Sequence, residues 1–308
     1  MNLPSCLASK RQRLHARAGI YRAIRSFFFE HGFLEVHTPV RTPTLAPEEH
    51  IDAIRSEEWF LSTSPELYMK CMLAAGYGLI FQFAPCFRKG EHGRIHLPEF
   101  TMLEWYRANE DYQSLENDCE MLITFVAREL ACFPIVSYQE QQIDLTCPWE
   151  RISVQEAFVR CAGWDPIEVQ DTERFQIDLA EKVEPRLDRS RPMFLRDYPA
   201  YQASLASLKN GDQRIAERME LYIGGIELAN GFTELTDPTE QRRRFEEANA
   251  RRSVMGKSPY PFPESFLAAL ETMPPAAGIA LGLDRLVMLF TNAACIDEVV
   301  AFSHSETA

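Results

Sequence analysis

The chain has 308 residues, which is enough to bury a large core in one domain with an insertion or in two domains. Its hydrophobic fraction of 46% and charged fraction of 25% are typical of globular proteins, and no apolar run has the length of a membrane span or the character of a signal peptide. A net charge of −13 mildly disfavours a long nucleic-acid ligand, and eight cysteines without C-x-x-C spacing predict reduced thiols in a cytoplasmic protein rather than a zinc site.

The first predicted element is an amphipathic helix from about Lys10 to His31, after a frayed tail over residues 1–9. Apolar residues recur at three- and four-residue steps along it, and Gly32 is suited to end it. Its cations are predicted to lie on a solvated face: Lys10, Arg11, Arg13 and Arg17. A strand over residues 33–40, ended by Pro39, is predicted to follow.

A second helix is predicted to start at the sequence Ser64-Pro65-Glu66. Serine can cap a helix, proline fits the first helical position, and a carboxylate in the first turn complements the helix dipole.

The sequence around residues 81–107 predicts two strands joined by a cationic loop, the first from Leu79 to Pro85 and the second from Glu99 to Tyr106. The loop carries Arg88, Lys89, Gly90, Glu91, His92, Gly93, Arg94 and His96. An arginine where a strand meets such a loop can bind a phosphate through two parallel hydrogen bonds. Side chains alternate along a strand, so Glu104 and Tyr106 share a face and could form the wall of a pocket for a cationic ligand. The alternative is an ordinary hairpin with a solvated charge cluster.

Three further segments are predicted to be helical. Residues 112–132 carry an apolar stripe, residues 136–195 are interpreted as a small helical insertion, and residues 239–255 form a charged helix. The arginines at 242–244 and 251–252 are predicted to be solvated.

Before the charged helix lies an acidic run, in which Glu220, Glu227 and Glu234 are seven residues apart. An odd spacing places strand neighbours on opposite faces unless a turn or bulge intervenes. One break in each interval, at Gly224-Gly225 and at Gly231, would bring all three carboxylates to one cavity. Carboxylates of this kind could bind Mg²⁺ together with phosphate, and the alternative is that they are exposed strand acids.

The last element is a glycine-bearing strand that turns into a helix over residues 278–289. Glycine lets a ligand approach the backbone closely, and Arg285 in the first helical turn would complete an anion site.

In their order along the chain, these segments resemble the three motifs of class II aminoacyl-tRNA synthetases of the lysyl type. Motif 1 corresponds to the first helix, Gly32 and Pro39, motif 2 to residues 87–104, and motif 3 to residues 278–289. The resemblance implies an α+β catalytic domain over residues 1–308, with a mostly antiparallel sheet flanked by helices, residues 136–195 as a helical insertion, and a homodimer formed through motif 1. Only about ten residues precede the predicted first helix, too few for an anticodon-binding barrel, so we do not expect tRNA as a partner.

The resemblance also implies roles for individual residues, with ATP and Mg²⁺ as co-substrate and cofactor. The implied catalytic residues are Arg88 and Arg285, and the implied Mg²⁺ ligands are Glu220 and Glu227. The implied ATP-binding residues are Arg88, Lys89, Gly90, Glu91, His96, Leu97, Glu227, Leu228, Gly282 and Arg285. The implied amino-acid-binding residues are Ser64, Pro65, Glu66, Glu104, Tyr106, Asn230, Glu234 and Ala280.

Residues 199–206, 225–232 and 299–303 most resemble the family of stand-alone lysyl-tRNA synthetase paralogues that modify translation elongation factor P. This implies that lysine or (R)-β-lysine is activated as an adenylate and transferred to a lysine ε-amine of that factor. The competing interpretations are a truncated lysyl-tRNA synthetase that charges tRNA, and an inactive paralogue with a regulatory role.

Three residues depart from the lysyl pattern. Gly90 stands where a glutamate is expected, which affects adenine recognition, and Leu97 replaces an asparagine. Ala280 stands where lysyl-tRNA synthetases usually have glycine, and its methyl group could shift the preference from α- to β-lysine.

Overall fold

The computed structural model describes residues 3–303 and 306, and within that range the chain forms eight α-helices and fourteen strands. The helices are α1 (Leu3–Glu30), α2 (Glu66–Ala74), α3 (Tyr112–Glu129), α4 (Val154–Ala162), α5 (Thr172–Asp178), α6 (Pro238–Val254), α7 (Glu264–Leu270) and α8 (Leu283–Phe290). The strands are β1 (Leu34–Glu35), β2 (Arg41–Thr42), β3 (Arg55–Ser56), β4 (Trp59–Leu61), β5 (Leu79–Phe87), β6 (Glu99–Ala108), β7 (Ile135–Tyr138), β8 (Gln141–Asp144), β9 (Glu150–Ser153), β10 (Met193–Pro199), β11 (Leu208–Lys209), β12 (Asp212–Ile223), β13 (Ile226–Thr233) and β14 (Ala276–Gly282). None of the described helices is both long and apolar enough to cross a bilayer.

The main sheet has the strand order β1-β5-β6-β14-β13-β12-β10-β9, with β11 paired to β12. The pairs β1–β5 and β9–β10 are parallel, and the other pairs of this sheet are antiparallel. The predicted α+β fold with a mostly antiparallel sheet is therefore confirmed.

The largest hydrophobic core lies between this sheet and helices α1, α3 and α8. Ala277, Ile279 and Leu281 of β14 are buried in that core. Because side chains alternate along a strand, Gly278 and Ala280 belong to the opposite face of the sheet, which carries the polar residues described below.

The N-terminal helix begins at Leu3, so the prediction of a frayed tail is wrong for residues 3–9, while residues 1 and 2 lie outside the described range. The predicted solvated face is also wrong at two positions. Lys10 is 5% exposed and pairs with Glu306, and Arg17 pairs with Asp284. The reason is that the end of the chain and the start of α8 pack against this side of the helix.

The end of α1 agrees better with the sequence. Gly32 adopts a φ of 78°, and the amide of Phe33 donates to the carbonyl of Phe28, as in a glycine-terminated helix. The predicted strand over residues 33–40 is shorter than expected, because only Leu34–Glu35 pairs in register with β5.

The segment 136–195 is helical only in part. Helices α4 and α5 lie within it, and Ser153 caps α4 by accepting a hydrogen bond from the amide of Glu156. The antiparallel pair β7–β8 and strand β9, which extends the main sheet beside β10, were not predicted. Their strands have four residues each, too short for a clear alternating pattern. The division of the chain into one domain with an insertion stays a prediction.

Helix α6 matches the predicted charged helix, but Arg244 and Arg252 are not solvated. Arg244 has a side chain that is 14% exposed and donates to the carbonyls of Ser204 and Ala206. Arg252 is 3% exposed and donates to the carbonyls of Glu48 and Ile51 and to the carboxylate of Asp52. These bonds fix the loop between β2 and β3, a long-range contact that helical periodicity cannot indicate.

Candidate active site

A row of residues in register crosses four neighbouring strands on the open face of the sheet. Glu104 of β6 pairs with Ala280 of β14, Ala280 pairs with Asn230 of β13, and Asn230 pairs with Glu220 of β12. Residues directly opposite each other share a face, and neighbouring strands are about 4.8 Å apart. Four of the predicted site residues therefore lie side by side on one surface.

Two breaks bring the three carboxylates of the acidic run to this face, as predicted, but the second break is not at Gly231. The first is a tight turn at Gly224–Gly225, whose φ angles of 62° and 78° suit a two-residue hairpin. The second is a bulge at Leu228, because Tyr222 pairs with Glu227 while Leu221 pairs with Ala229. The extra residue puts Glu227 on the same face as Asn230.

A cavity of about 270 Å³ opens on this face and contains both predicted catalytic arginines. The predicted residues that line it are Arg88, Glu91, His96, Leu97, Glu227, Leu228, Asn230, Ala280, Gly282 and Arg285. Lys89 and Gly90 instead lie on an exposed turn at the edge of the motif 2 loop, where Gly90 has a φ of 80°.

Arg285 lies in the first turn of α8 and is held from two sides. Its Nη1 donates to the carbonyl of Glu227 at 2.8 Å, and its Nη2 contacts Nε2 of His96 at 2.7 Å. Burial and the adjacent guanidinium lower the pKa of His96. A neutral His96 can accept from Arg285 through Nε2, so the guanidinium is oriented without a competing charge.

Arg88 lies at the end of β5, where the sequence predicted a phosphate-binding group. Its guanidinium stacks over Phe100 at 5.2 Å, lies 3.9 Å from the carboxylate of Glu91, and donates to the carbonyl of Thr63 at 3.4 Å. The long distances to Glu91 and Thr63 leave most of its hydrogen-bonding capacity for a ligand in the cavity.

Beside the cavity lies an acidic pocket, formed by Ser64, Glu66, Glu104, Tyr106 and Glu234. Ser64 Oγ donates to Glu104 Oε1 at 2.6 Å, and the Tyr106 hydroxyl donates to Glu104 Oε2 at 2.8 Å. Burial and the charge of Glu66 raise the pKa of Glu104 to about 7. Ser64 Oγ also accepts from the amide of Glu66. Pro65 rather than Ser64 occupies the N-cap position of α2, so the predicted helix start is wrong by one residue.

Glu234 is the deepest carboxylate of the acidic pocket, and its side chain is fully buried. Its Oε2 is paired with Lys70, a residue that the sequence reasoning missed. Its Oε1 has no hydrogen-bond donor among the described residues. Burial raises the pKa of Glu234 to about 8, against the opposing effect of Lys70. A buried oxygen without a donor is the expected state of an acceptor whose partner is a ligand.

Gly278 of β14 makes this arrangement sterically possible. A Cβ atom at position 278 would lie 2.2 Å from Cε1 of Tyr106 and 2.3 Å from Oε1 of Glu234. The absence of a side chain therefore lets the phenol and the carboxylate converge over the strand.

The predicted Mg²⁺ ligands Glu220 and Glu227 lie next to each other on the open face. Partial desolvation in the cleft and the charge of Glu220 raise the pKa of Glu227, although its side chain is 41% exposed. Glu220 accepts from Arg218 at 2.6 Å and from the Tyr222 hydroxyl at 2.8 Å. No cluster of three His, Cys, Asp or Glu side chains within the described residues could hold a metal by itself, but two close carboxylates beside a phosphate site fit Mg²⁺, which binds few protein ligands.

Two other contributors were not identified from the sequence. Asp284 accepts from Arg17 of α1 and from the amide of Thr101 at 2.7 Å, and so joins motif 3 to motifs 1 and 2. Lys70 lies four residues after Glu66, and this i, i+4 spacing was the available signal for an ion pair.

Comparisons with known proteins agree with this geometry. The model of the family "tRNA synthetases class II (D, K and N)" matches residues 6–306. The chain is 40% identical to a protein of Hamiltonella defensa and 41% identical to one of Edwardsiella ictaluri, with 93% of each chain covered in both cases. It is also 40% identical to a protein of Vibrio vulnificus, over 94% of this chain and 95% of that one. All three relatives are named elongation factor P–(R)-β-lysine ligase.

Proposed function

The chain belongs to the class II tRNA synthetase family (D, K and N), and from that premise we propose that it is an ATP-dependent ligase acting on translation elongation factor P. It activates (R)-β-lysine as an aminoacyl-adenylate and transfers the aminoacyl group to a lysine ε-amine of the factor. The names of the relatives support the substrate and the acceptor.

The observation that carries this proposal is the acidic pocket beside a cavity with two arginines. Glu234 Oε1 is buried without a donor, and Glu104 lies next to Ala280, which lines the cavity. Burying carboxylates is unfavourable unless a cation compensates them. A diamino acid supplies two ammonium groups for the acidic pocket while its carboxylate faces the nucleotide.

The first step joins the substrate carboxylate to the α-phosphorus of ATP and breaks the bond to pyrophosphate, which leaves. Arg88 and Arg285 line the same cavity and offset the charge that builds on the phosphoryl oxygens. Positioning and electrostatic stabilisation supply the rate, because this displacement needs no nucleophilic side chain.

Mg²⁺ would be held by Glu220 and Glu227 and would supply positive charge to the phosphates of ATP. Glu227 also orients Arg285 through its backbone carbonyl. In the second step, the uncharged ε-amine of the acceptor lysine attacks the acyl carbon, an amide forms, and AMP leaves with the electrons of the broken bond.

Mass spectrometry of elongation factor P tests the proposal directly. The factor is incubated with the enzyme, ATP and either (R)-β-lysine or L-lysine, and the intact mass is measured. We expect the mass of one lysyl group to be added, fastest with (R)-β-lysine. The Glu234→Gln variant should lose at least 100-fold in rate. The matched control is Glu217→Gln, a half-buried position of β12 that precedes the acidic run.

Parallel incubation with tRNA distinguishes the proposed function from the competing functions. Labelled lysine on tRNA with an unmodified factor would identify a truncated lysyl-tRNA synthetase. The absence of lysine-dependent pyrophosphate exchange would identify an inactive paralogue.

We also propose that the enzyme acts in the cytoplasm as a homodimer formed through motif 1. Strand β1 lies at the edge of the main sheet, and the nearby Phe29 and Leu34 are 54% and 49% exposed. An exposed apolar sheet edge is the kind of surface that a second subunit covers.

A further inference from the structure

Lys70 is a buried cation at the base of the acidic pocket. Its side chain is 0% exposed, and its Nζ lies 2.5 Å from Glu66 Oε1 and also pairs with Glu234 Oε2. The aromatic rings of Phe232 and Phe266 flank the ammonium group, with centroids at 5.2 and 6.0 Å. A lysine this deeply buried is rare unless it is fully paired.

Each carboxylate that pairs with Lys70 gives it one oxygen and keeps the other. Glu66 uses Oε1 and Glu234 uses Oε2, which leaves Glu66 Oε2 and Glu234 Oε1 for a ligand. Glu234 Oε1 has no donor within residues 3–303 and 306. Lys70 therefore fixes both carboxylates without using the oxygens that a substrate needs.

The charges around Lys70 and its two carboxylates come from four segments. Glu66 lies on the same helix, Glu234 follows β13, Glu104 and Tyr106 come from β6, and Glu48 of the loop between β2 and β3 lies beside Glu66. When Glu66, Glu104 and Glu234 are ionised, the acidic pocket itself has three negative charges and one positive charge. The remaining two negative charges equal the two ammonium groups of a diamino acid.

Resting on the proposed function, we propose that Lys70 is a positioning residue that holds one oxygen each of Glu66 and Glu234, leaves their other oxygens for the substrate, and thereby matches the charge of the acidic pocket to a substrate with two ammonium groups. Removing this cation would leave the buried carboxylate of Glu234 without compensation, so burial would raise its pKa further and the group would hold a proton more tightly. A protonated carboxyl group binds an ammonium group poorly, so the substrate would have to displace this proton.

The test measures amino-acid-dependent pyrophosphate exchange between pH 6.5 and 8.5 in the full-length enzyme and its variants. Lys70→Met removes the charge, and Lys70→Gln removes the charge but keeps a hydrogen-bond donor and most of the packing. We expect both variants to raise the KM for (R)-β-lysine about tenfold or more at pH 7, because a change of about one in the pKa of a carboxyl group corresponds to a tenfold change in its protonation. Their KM should recover as the pH rises, while the KM for ATP changes less than about twofold.

Lys182→Met is the matched control, because Lys182 also forms an i, i+4 pair, with Asp178, but its side chain is 44% exposed. It should leave both KM values and the pH profile unchanged. Circular dichroism establishes that each variant is folded, and Lys70→Gln carries the test if Lys70→Met is not.

Three results would overturn the inference. The first is a wild-type pH profile and KM in the Lys70 variants. The second is a rise in the KM for (R)-β-lysine that does not depend on pH. A fall in kcat, a rise in the KM for ATP or misfolding of both variants counts equally, because each would show a purely structural role. The third is a wild-type enzyme that exchanges pyrophosphate with no diamino acid, and this result alone would also remove the proposed function.

Discussion

Glu104 and Ala280 lie directly opposite each other on the neighbouring strands β6 and β14. The methyl group of Ala280 therefore borders the space between the carboxylate proposed to bind an ammonium group and the cavity proposed to bind the nucleotide. We expect Ala280→Gly to enlarge this space and to raise kcat/KM for L-lysine relative to (R)-β-lysine by about tenfold, the effect of one methyl group in a pocket. Competition between the two isomers in pyrophosphate exchange measures this ratio.

Ala277→Gly is the matched control for this change. Ala277 lies in the same strand but is buried in the core on the opposite face. It should lower the stability of the protein and leave the isomer ratio unchanged. An unchanged ratio in Ala280→Gly would show that the methyl group does not set the preference.

Gly278→Ala should strongly impair amino acid recognition. The new Cβ would lie 2.2 Å from Tyr106 and 2.3 Å from Glu234, so at least one of these groups must move. Displacement by about 1 Å in an active site can reduce the rate about 100-fold. We expect a loss of this size in lysine-dependent pyrophosphate exchange.

The comparison variant is Gly78→Ala, where the nearest atom to an added Cβ is 3.9 Å away. It should retain wild-type exchange activity. If Gly278→Ala is equally active, the pocket is wider than the structure indicates.

The sequence predicted local features well where one side chain determines the backbone. Gly32 ends a helix, Gly224–Gly225 form a turn, and Arg285 follows a glycine-bearing strand, because each depends on conformational preferences of a few neighbours. The two arginines of the cavity were identified from their positions at a strand end and a helix start, and from the resemblance to motifs 2 and 3.

Features that depend on distant contacts were missed. The bulge at Leu228 is set by pairing with β12, and nothing at Leu228 itself marks it. Three cations were predicted to be solvated because their acidic or carbonyl partners are far away in sequence: Lys10, Arg17 and Arg252. An ion pair across hundreds of residues leaves no periodic signal.

The free energy of unfolding of the unliganded protein should be larger at pH 5.5 than at pH 8. The pKa values of Glu104 and Glu234 are raised to about 7 and about 8 from an ordinary value of 4.5. Between the ordinary pKa of 4.5 and the raised pKa values, the folded state binds more protons than the unfolded state, so the free energy of unfolding falls as the pH rises. Urea denaturation at pH 5.5 and pH 8 should show the decrease.

Glu104→Gln should reduce this decrease by about 1–2 kcal/mol, because glutamine does not titrate. The lowered pKa of His96 acts in the opposite direction near pH 6, and the carboxyl groups of Asp212 and Glu240, with pKa values of about 2, titrate below this window. An equal decrease in the variant would mean that Glu104 is already ionised at pH 5.5.

Leu34→Glu should convert the proposed dimer into a monomer. Leu34 is 49% exposed on the edge strand β1, and a charge at an apolar edge opposes pairing with a second subunit. Sedimentation velocity measures the change in mass. Val159→Glu, at a residue of α4 that is 53% exposed, should keep the mass of the wild type, and the same mass for both variants would place the interface elsewhere.

Arg17→Met should destabilise the protein far more than the same change one turn earlier in α1. Arg17 pairs with Asp284, whose side chain is 3% exposed, so its loss leaves a buried charge uncompensated at a cost of about 3 kcal/mol. Arg13 pairs with Glu298, and both side chains are about one-third exposed, so Arg13→Met should cost less than about 1 kcal/mol. Urea denaturation compares the two variants. Because Asp284 precedes Arg285 and binds the amide of Thr101, Arg17→Met should also lower kcat for pyrophosphate exchange, whereas equal stabilities and equal rates would show that motif 1 does not support the site.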